Sequence, residues 1–144
     1  MNFVKNLIQT QNIGSIEEFE EILTNEKFNL KLKKFKNNEL MIIVHDEKTN
    51  LDEELCQHCH GVIIDPNLNT IRYTSKKAYE NQENNMEIIN CIDKENAVIT
   101  PIIDGTFISV FKYDNKVYYS TKKALEARLS KWQSNKNFEE LFKN

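Results

Sequence analysis

Arginine is nearly absent from this chain of 144 residues. Arg72 and Arg128 are the only two among 19 basic residues, and the rest are lysine. Arginine is favoured where phosphates are gripped two oxygens at a time, so its scarcity argues against a surface built broadly for that task. A net charge of -3 likewise argues against a general nucleic-acid coat, although a local basic groove stays compatible with it. Glycine (three) and proline (two) are scarce as well, and with abundant Asn and Ile they give the composition an AT-rich genome encodes. Lysine richness is therefore weak testimony for phosphate binding. No apolar run approaches the ~20 residues that span a bilayer, which excludes a membrane helix. Met1 to Thr10 is too short and too polar for a signal peptide. The three cysteines, Cys56, Cys59 and Cys91, are an odd number and fit reduced thiols, so a cytoplasmic, intracellular protein is expected.

What is present reads as one domain over residues 1–144, with no internal repeat and no Pro/Ser-rich linker. Ser15 followed by Glu18 is a capping box, with Glu18 expected to reach back to the Ser15 backbone. Ile16, Phe19, Ile22 and Leu23 then share one face, so a helix is expected near 15–25. From Phe28 the period becomes two: Phe28, Leu30 and Leu32 alternate with Asn29, Lys31 and Lys33 as a half-buried strand. Asn37-Asn38 signals a turn into a returning strand, Leu40 to Val44. Asp46 to Gln57 is polar, a loop or short helix. Val62 to Ile64 reads as a buried strand that ends at Asp65-Pro66-Asn67 and pairs with Thr70 to Thr74. Lys76 to Met86 is rich in turn residues. Ala97 to Ile103 reads as a strand broken by Asp104-Gly105. Phe107 to Tyr113 turns at Asp114-Asn115 into Val117 to Thr121, and Lys122 to Trp132 and Asn137 to Phe142 read as helical. The sum is an α+β fold of antiparallel hairpins flanked by short helices.

Three segments follow one another in a suggestive order. The first is His60-Gly61-Val62-Ile63-Ile64-Asp65. The second runs from Arg72 to Asn81 and contains Lys76 and Lys77. The third is Pro101-Ile102-Ile103-Asp104-Gly105-Thr106, followed by a strand pair and Ser120-Thr121-Lys122-Lys123. Together they resemble the covalent nucleotidyltransferase superfamily, and within it RNA ligases of the phage tRNA-repair type. The likeness covers about residues 28–130, the front portion of an adenylation domain. There the family reads Arg-Gly-Ile-hydrophobic-hydrophobic-Asp, then Arg-Pro-Phe-x-Lys-Phe-Phe-Asn, then Lys-x-Asp-Gly-Ser/Thr and a Ser/Thr-Lys-Gly-Ser-like segment. The resemblance implies ATP with Mg²⁺ as ligand and places His60, Lys76 or Lys77, Ile102, Asp104, Gly105 and Lys122 at a nucleotide pocket.

The departures carry as much meaning. The family's nucleophile is a lysine whose amine attacks the α-phosphate of ATP, and Ile102 at its position offers no lone pair. His60 replaces a phosphate-contacting arginine, exchanging a permanent fork for a pH-dependent charge. The stretch beyond Trp132 has little room for the family's later metal-binding strand and its closing Lys-x-Lys strand. The expectation is a pseudoenzyme that binds a nucleotide or an RNA end, with no catalytic residue. The alternative is a structural or protein-interaction module whose ancestral pocket is filled, and a third reading is one half of a split enzyme.

Other residues have competing readings. Cys56-Gln57-His58-Cys59-His60 matches the attachment pattern of c-type haem, which needs an exported or specially serviced protein. Cys56, His58 and Cys59 could also begin a zinc site completed by His45 or Cys91, but no second ligand pair accompanies them, and a partly buried loop is the favoured reading. Lys31, Lys33, Lys34 and Lys36 form a basic run. Lys31 and Lys33 share a face as either a solvated surface or an RNA contact. Tyr113, Tyr118 and Tyr119 are expected to pack on the sheet rather than to stack bases. Trp132 is expected to anchor a C-terminal helix.

Overall fold

The computed structural model describes residues 3–35, 38–77, 86–92, 95–98, 100–101 and 104–143. It is a mixed α+β fold with a four-stranded antiparallel sheet, a separate two-stranded sheet and short helices. The larger sheet holds β1 (Leu30–Phe35), β2 (Asn38–His45), β3 (Ile63–Ile64) and β4 (Thr70–Arg72), in that spatial order. The smaller is a hairpin of β5 (Ser109–Tyr113) and β6 (Lys116–Ser120).

β2 explains why the larger sheet is covered on both sides. Its run Leu40 to Val44 is apolar at every position, as a strand buried on two faces requires. Met41 and Ile43 join Leu30, Leu32 and Ile64 in one cluster, which is sealed by three helices. These are α1 (Phe3–Thr10), α2 (Ile16–Thr24) and α3 (Glu54–Cys59). Leu40, Ile42 and Val44 face the opposite way and form a second cluster with Ile63, Tyr118 of the hairpin and Leu125. β1 is the sheet edge and alternates as expected, with Leu30 and Leu32 buried and Lys31 and Lys33 exposed. Lysines along an edge also discourage pairing with another chain.

Local chemistry accounts for the boundaries. Ser15 caps α2 by accepting from the Glu18 amide at 3.2 Å. The return bond of the box goes one residue further back than expected, from the Gly14 amide to Glu18 Oε2 at 2.8 Å. α1, which periodicity did not single out, buries Val4 and packs Phe3, Leu7 and Ile8 against the first cluster, so the chain's beginning covers the sheet. Asp65 is buried and organises the turn between β3 and β4. Its carboxylate accepts from the amides of Asn67 at 2.9 Å and Asn69 at 2.8 Å, and from the Asn69 side chain at 3.0 Å. Asp114 and Asn115 both adopt positive φ (43° and 58°), the conformation that suits a two-residue hairpin turn. α4 (Met86–Cys91) and α5 (Phe138–Lys143) complete the described elements.

Two expected elements are corrected. Ala97, Val98, Thr100 and Pro101 lie in no strand and are exposed, and Ile99, Ile102 and Ile103 of the expected strand lie outside the described residues. Lys122 to Trp132 is not a helix and holds only a 3-10 turn at Ala127–Leu129. The Thr121 amide donates to the Ala124 carbonyl at 2.9 Å, a tight turn whose bond runs opposite to a helical one, although the Thr121 hydroxyl accepts from the amides of Lys123 and Ala124 at 3.2 and 3.0 Å as an N-cap would. Leu125 and Ala127 are both fully buried, with half-buried Glu126 between them and exposed Arg128 after them, an extended pattern rather than a helical one. Trp132 is 64% exposed and anchors nothing in the core. The turn expected at Asn37-Asn38 includes Asn37, which lies outside the described residues, as does most of Lys76 to Met86.

Candidate functional site

The fold draws the first and third motif segments to one cleft, with the start of the second directly beneath it. His60 stands at the end of α3, Gly61 starts the run into β3, Arg72 ends β4, and Thr121 to Lys123 follow β6. A cavity of about 390 Å³ is lined here by His60, Gly105, Phe107, Lys122, Lys123 and Phe138, among others. Its size lies in the usual range for small-ligand pockets, ~300–1,000 Å³.

Arg72 ties the two sheets together beneath the cleft. Its guanidinium is buried and donates to Ser120 Oγ at 2.6 Å, to the Thr121 carbonyl at 3.3 Å and to the Gly61 carbonyl. All three acceptors are uncharged. Among the described residues no carboxylate comes within ion-pair distance of it, and its Nε has no hydrogen-bond partner. Burial lowers its pKa to about 10, which still leaves a full positive charge at neutral pH. Gly61 makes this closeness feasible. Its φ is +88°, and an added Cβ would lie 2.8 Å from Arg72 Nη2 and 3.1 Å from both the Cα and carbonyl oxygen of Lys122.

His60 is paired with a histidine that sequence reasoning weighed only as a fourth zinc ligand. The rings of His45 and His60 stack at 4.2 Å with 29° between planes. The His45 amide donates to His60 Nδ1 at 3.0 Å, so neutral His60 carries its proton on Nε2. His45 Nε2 in turn donates to the Cys56 carbonyl at 2.6 Å. Burial is the main cause that holds His60 down at about 4, helped by His45, Lys122, Lys123 and Arg72. Burial likewise lowers His45, with Lys77, Lys122 and Lys123 acting in the same direction. His60 is therefore uncharged at neutral pH. The positive field at His60 comes from Arg72, Lys122 and Lys123.

The remaining sequence-derived residues divide clearly. Lys122 lies on the cleft with its ammonium 5.9 Å from the Phe107 ring centroid. Gly105 lines the cleft, whereas Asp104 is exposed beside it. Lys76 and Lys77 are exposed, and the Lys77 amide is tied to the Gln57 carbonyl at 2.8 Å. Ile102 lies outside the described residues. Lys31 is ion-paired with Asp46 at 2.9 Å, whereas Lys33, exposed like it, has no ion pair among the described residues.

The Cys/His group does not converge. Cys56 and Cys59 are buried and their thiols point to the carbonyls of Phe28 and Cys56 at 3.6 and 3.9 Å. Burial raises Cys56 to about 11 and pushes Cys59 higher still, so both remain protonated. His58 stacks on Phe3 at 4.0 Å. Among the described residues no group of three or more His, Cys, Asp or Glu could hold a metal ion.

Sequence reasoning missed Arg72 and His45 as members of this site. Arg72 did leave a signal: it is one of only two arginines in a lysine-rich chain, at a place where a planar fork is needed. His45 left none, because only the pairing of β2 with the start of β3 sets it against His60. A larger groove of about 580 Å³ lies elsewhere, between α1 and the Asp65–Thr70 turn, and among the described residues Lys5 is the only charged one in its lining. No described helix is long and apolar enough to cross a membrane. Comparison with protein-family models, curated proteins and solved structures finds no match for this chain.

Proposed function

We propose that this chain is a catalytically inactive RNA-ligase-like nucleotidyltransferase module that holds a nucleotide or an RNA end in the cleft at His60 and Lys122. The observation that supports this is the meeting of the motif segments. His60-Gly61, Arg72 and Thr121-Lys122 lie in three separate stretches of the sequence and are joined by direct hydrogen bonds through Arg72 in the fold. A buried guanidinium with only neutral acceptors adds a second physical reason, since an anion arriving nearby would compensate a charge that is otherwise costly to bury. Neutral His60 can donate one hydrogen bond from Nε2, while Lys122 and Lys123 provide point charges for phosphate oxygens.

The chemistry stops at binding. Isoleucine at position 102 has no lone pair with which to attack a phosphorus atom. Among the described residues the cleft is lined by no carboxylate, and its charges are the lysines Lys122 and Lys123. A filled-pocket interaction module is the second reading, favoured by Phe138 and Phe107, which bring apolar rings into the cleft.

A thermal-shift series with ATP, GTP and a short 5′-phosphorylated RNA, each with and without Mg²⁺, tests the proposal. A ligand at 100 times its Kd stabilises by about 2.7 kcal/mol, which reads as a rise of several degrees. The rise should vanish in the Lys122→Ala/Lys123→Ala variant, and intact mass after incubation with ATP and Mg²⁺ should show no added AMP. No rise with any ligand would favour the filled pocket, and a stable AMP adduct would overturn the inactive assignment.

A further inference from the structure

The cleft opens onto a wider surface with an unusual composition. Residues 104–144 carry eight Lys and Arg against five Asp and Glu, a surplus of three positive charges in a chain whose total is -3. The same stretch holds eight of the chain's 14 aromatic residues. Some are packed inward, as Tyr118 is, but Phe107, Trp132 and Phe142 are 57%, 64% and 53% exposed.

These rings form a path rather than a scatter. Phe107 lies at the cleft beneath the Lys122 ammonium, and Phe138 of α5 lines the same cleft. Phe142 follows Phe138 by four residues on α5, one turn or about 6 Å further along the same face. The Phe142 ring then meets Tyr119 at 5.9 Å, and the Lys143 ammonium sits 4.3 Å from the Tyr119 centroid. Lys143 is already paired with Glu139. Lys122 and Lys123 at the cleft carry no such pairing among the described residues, and Lys131 and Lys136 are exposed in the same stretch.

We propose that this basic, aromatic surface binds single-stranded nucleic acid, with bases stacked on Phe142, Phe138 and Phe107 and phosphates at Lys122 and Lys123. It deepens the reading of the cleft given above, because it names the ligand that would run out of it. Exposed rings interleaved with lysines are what a sequence-tolerant single-strand site requires, since every base offers a π-face. A duplex hides those faces. Lys33, on the sheet edge far along the sequence, takes no part.

The test uses fluorescein-labelled rU12 and dT12 and a 12-base-pair duplex in anisotropy titrations, with ATP as competitor. Trp132, the only tryptophan, gives an independent quenching readout. A single strand, RNA or DNA, should bind at least about tenfold tighter than the duplex, the tighter of the two identifying the natural source. Its log affinity should fall against log salt with a slope of about -1.4 to -2.8, for two to four phosphates. Phe142→Ala should weaken binding at least about fivefold without moving the melting temperature, and Lys33→Ala should change nothing. Equal duplex affinity, an unchanged Phe142→Ala variant or a loss in Lys33→Ala would each overturn the proposal. If rU12 binds and ATP fails to compete or bind, the surface stands and the nucleotide-pocket reading falls. If ATP binds and rU12 binds no tighter, the surface falls and the pocket stands.

Discussion

Replacing Gly61 with alanine probes the junction on which the cleft depends. The substitution places a Cβ 2.8 Å from Arg72 Nη2 and 3.1 Å from two backbone atoms of Lys122, at a φ of +88°. An L-residue forced to left-handed φ costs about 1–2 kcal/mol. The Arg72 tip cannot simply swing aside, because it is buried and bonded to Ser120, Thr121 and Gly61. Loosening one such charged hydrogen bond costs about 1.5–3 kcal/mol more. The expected loss is therefore about 2.5–5 kcal/mol, or about 8–15 °C in Tm for a chain of this length. Urea denaturation followed by circular dichroism measures it, and the Gly61→Ala/Arg72→Ala double variant separates the two parts. Once the guanidinium is gone, the cost of the alanine should shrink toward the backbone strain alone, an interaction term of about 1.5 kcal/mol or more. A loss below 1 kcal/mol, or strict additivity with Arg72→Ala, would refute the claim that Gly61 and Arg72 interlock.

Three further outcomes follow from named groups. His60 and His45 have folded pKa values below that of an unfolded histidine, so the unfolded chain binds more protons between about pH 4 and 6.5. Their contribution is intact above pH 6.5 and is lost as the pH falls toward 4; His60→Asn should flatten the stability slope in that window relative to wild type, and an unchanged slope would count against the neutral pair. Iodoacetamide followed by mass spectrometry should label exposed Cys91 alone in the native protein and all three cysteines only in urea; rapid native labelling of Cys56 or Cys59 would contradict their burial. Asp65→Ala removes the acceptor of three turn hydrogen bonds and should cost about 2–4 kcal/mol in urea titrations, whereas a loss under 0.5 kcal/mol would show that the turn stands without it.

The legible parts of this fold are those where one local rule decides. Ser15 and Glu18 announced α2, the alternation from Leu30 announced β1, and Asp114-Asn115 announced the hairpin, because caps, period and turn conformation act within a few residues. The unbroken run Leu40 to Val44 marked a strand but did not say that a helical layer and a hairpin would cover its two faces. Lys122 to Trp132 misled because its composition suits a helix, while the bond from the Thr121 amide to the Ala124 carbonyl turns the chain back and Leu125 and Ala127 are both buried two residues apart. The same limit applied to the cleft. His60, Gly105 and Lys122 could be named from the order of segments. The burial of His60 against His45, which removes the histidine charge, and the burial of Arg72, which supplies charge instead, arise only from tertiary contact.

The central claim, an anion-binding cleft at the meeting of the motif segments, is tested most directly by titrating ATP into ¹⁵N-labelled protein and following the amide resonances. The account predicts shifts that saturate together at Gly61, Thr121, Lys122 and Lys123, with Lys31 and Lys33 undisturbed. Shifts confined to the groove between α1 and the Asp65–Thr70 turn, or none at millimolar ATP, would contradict it.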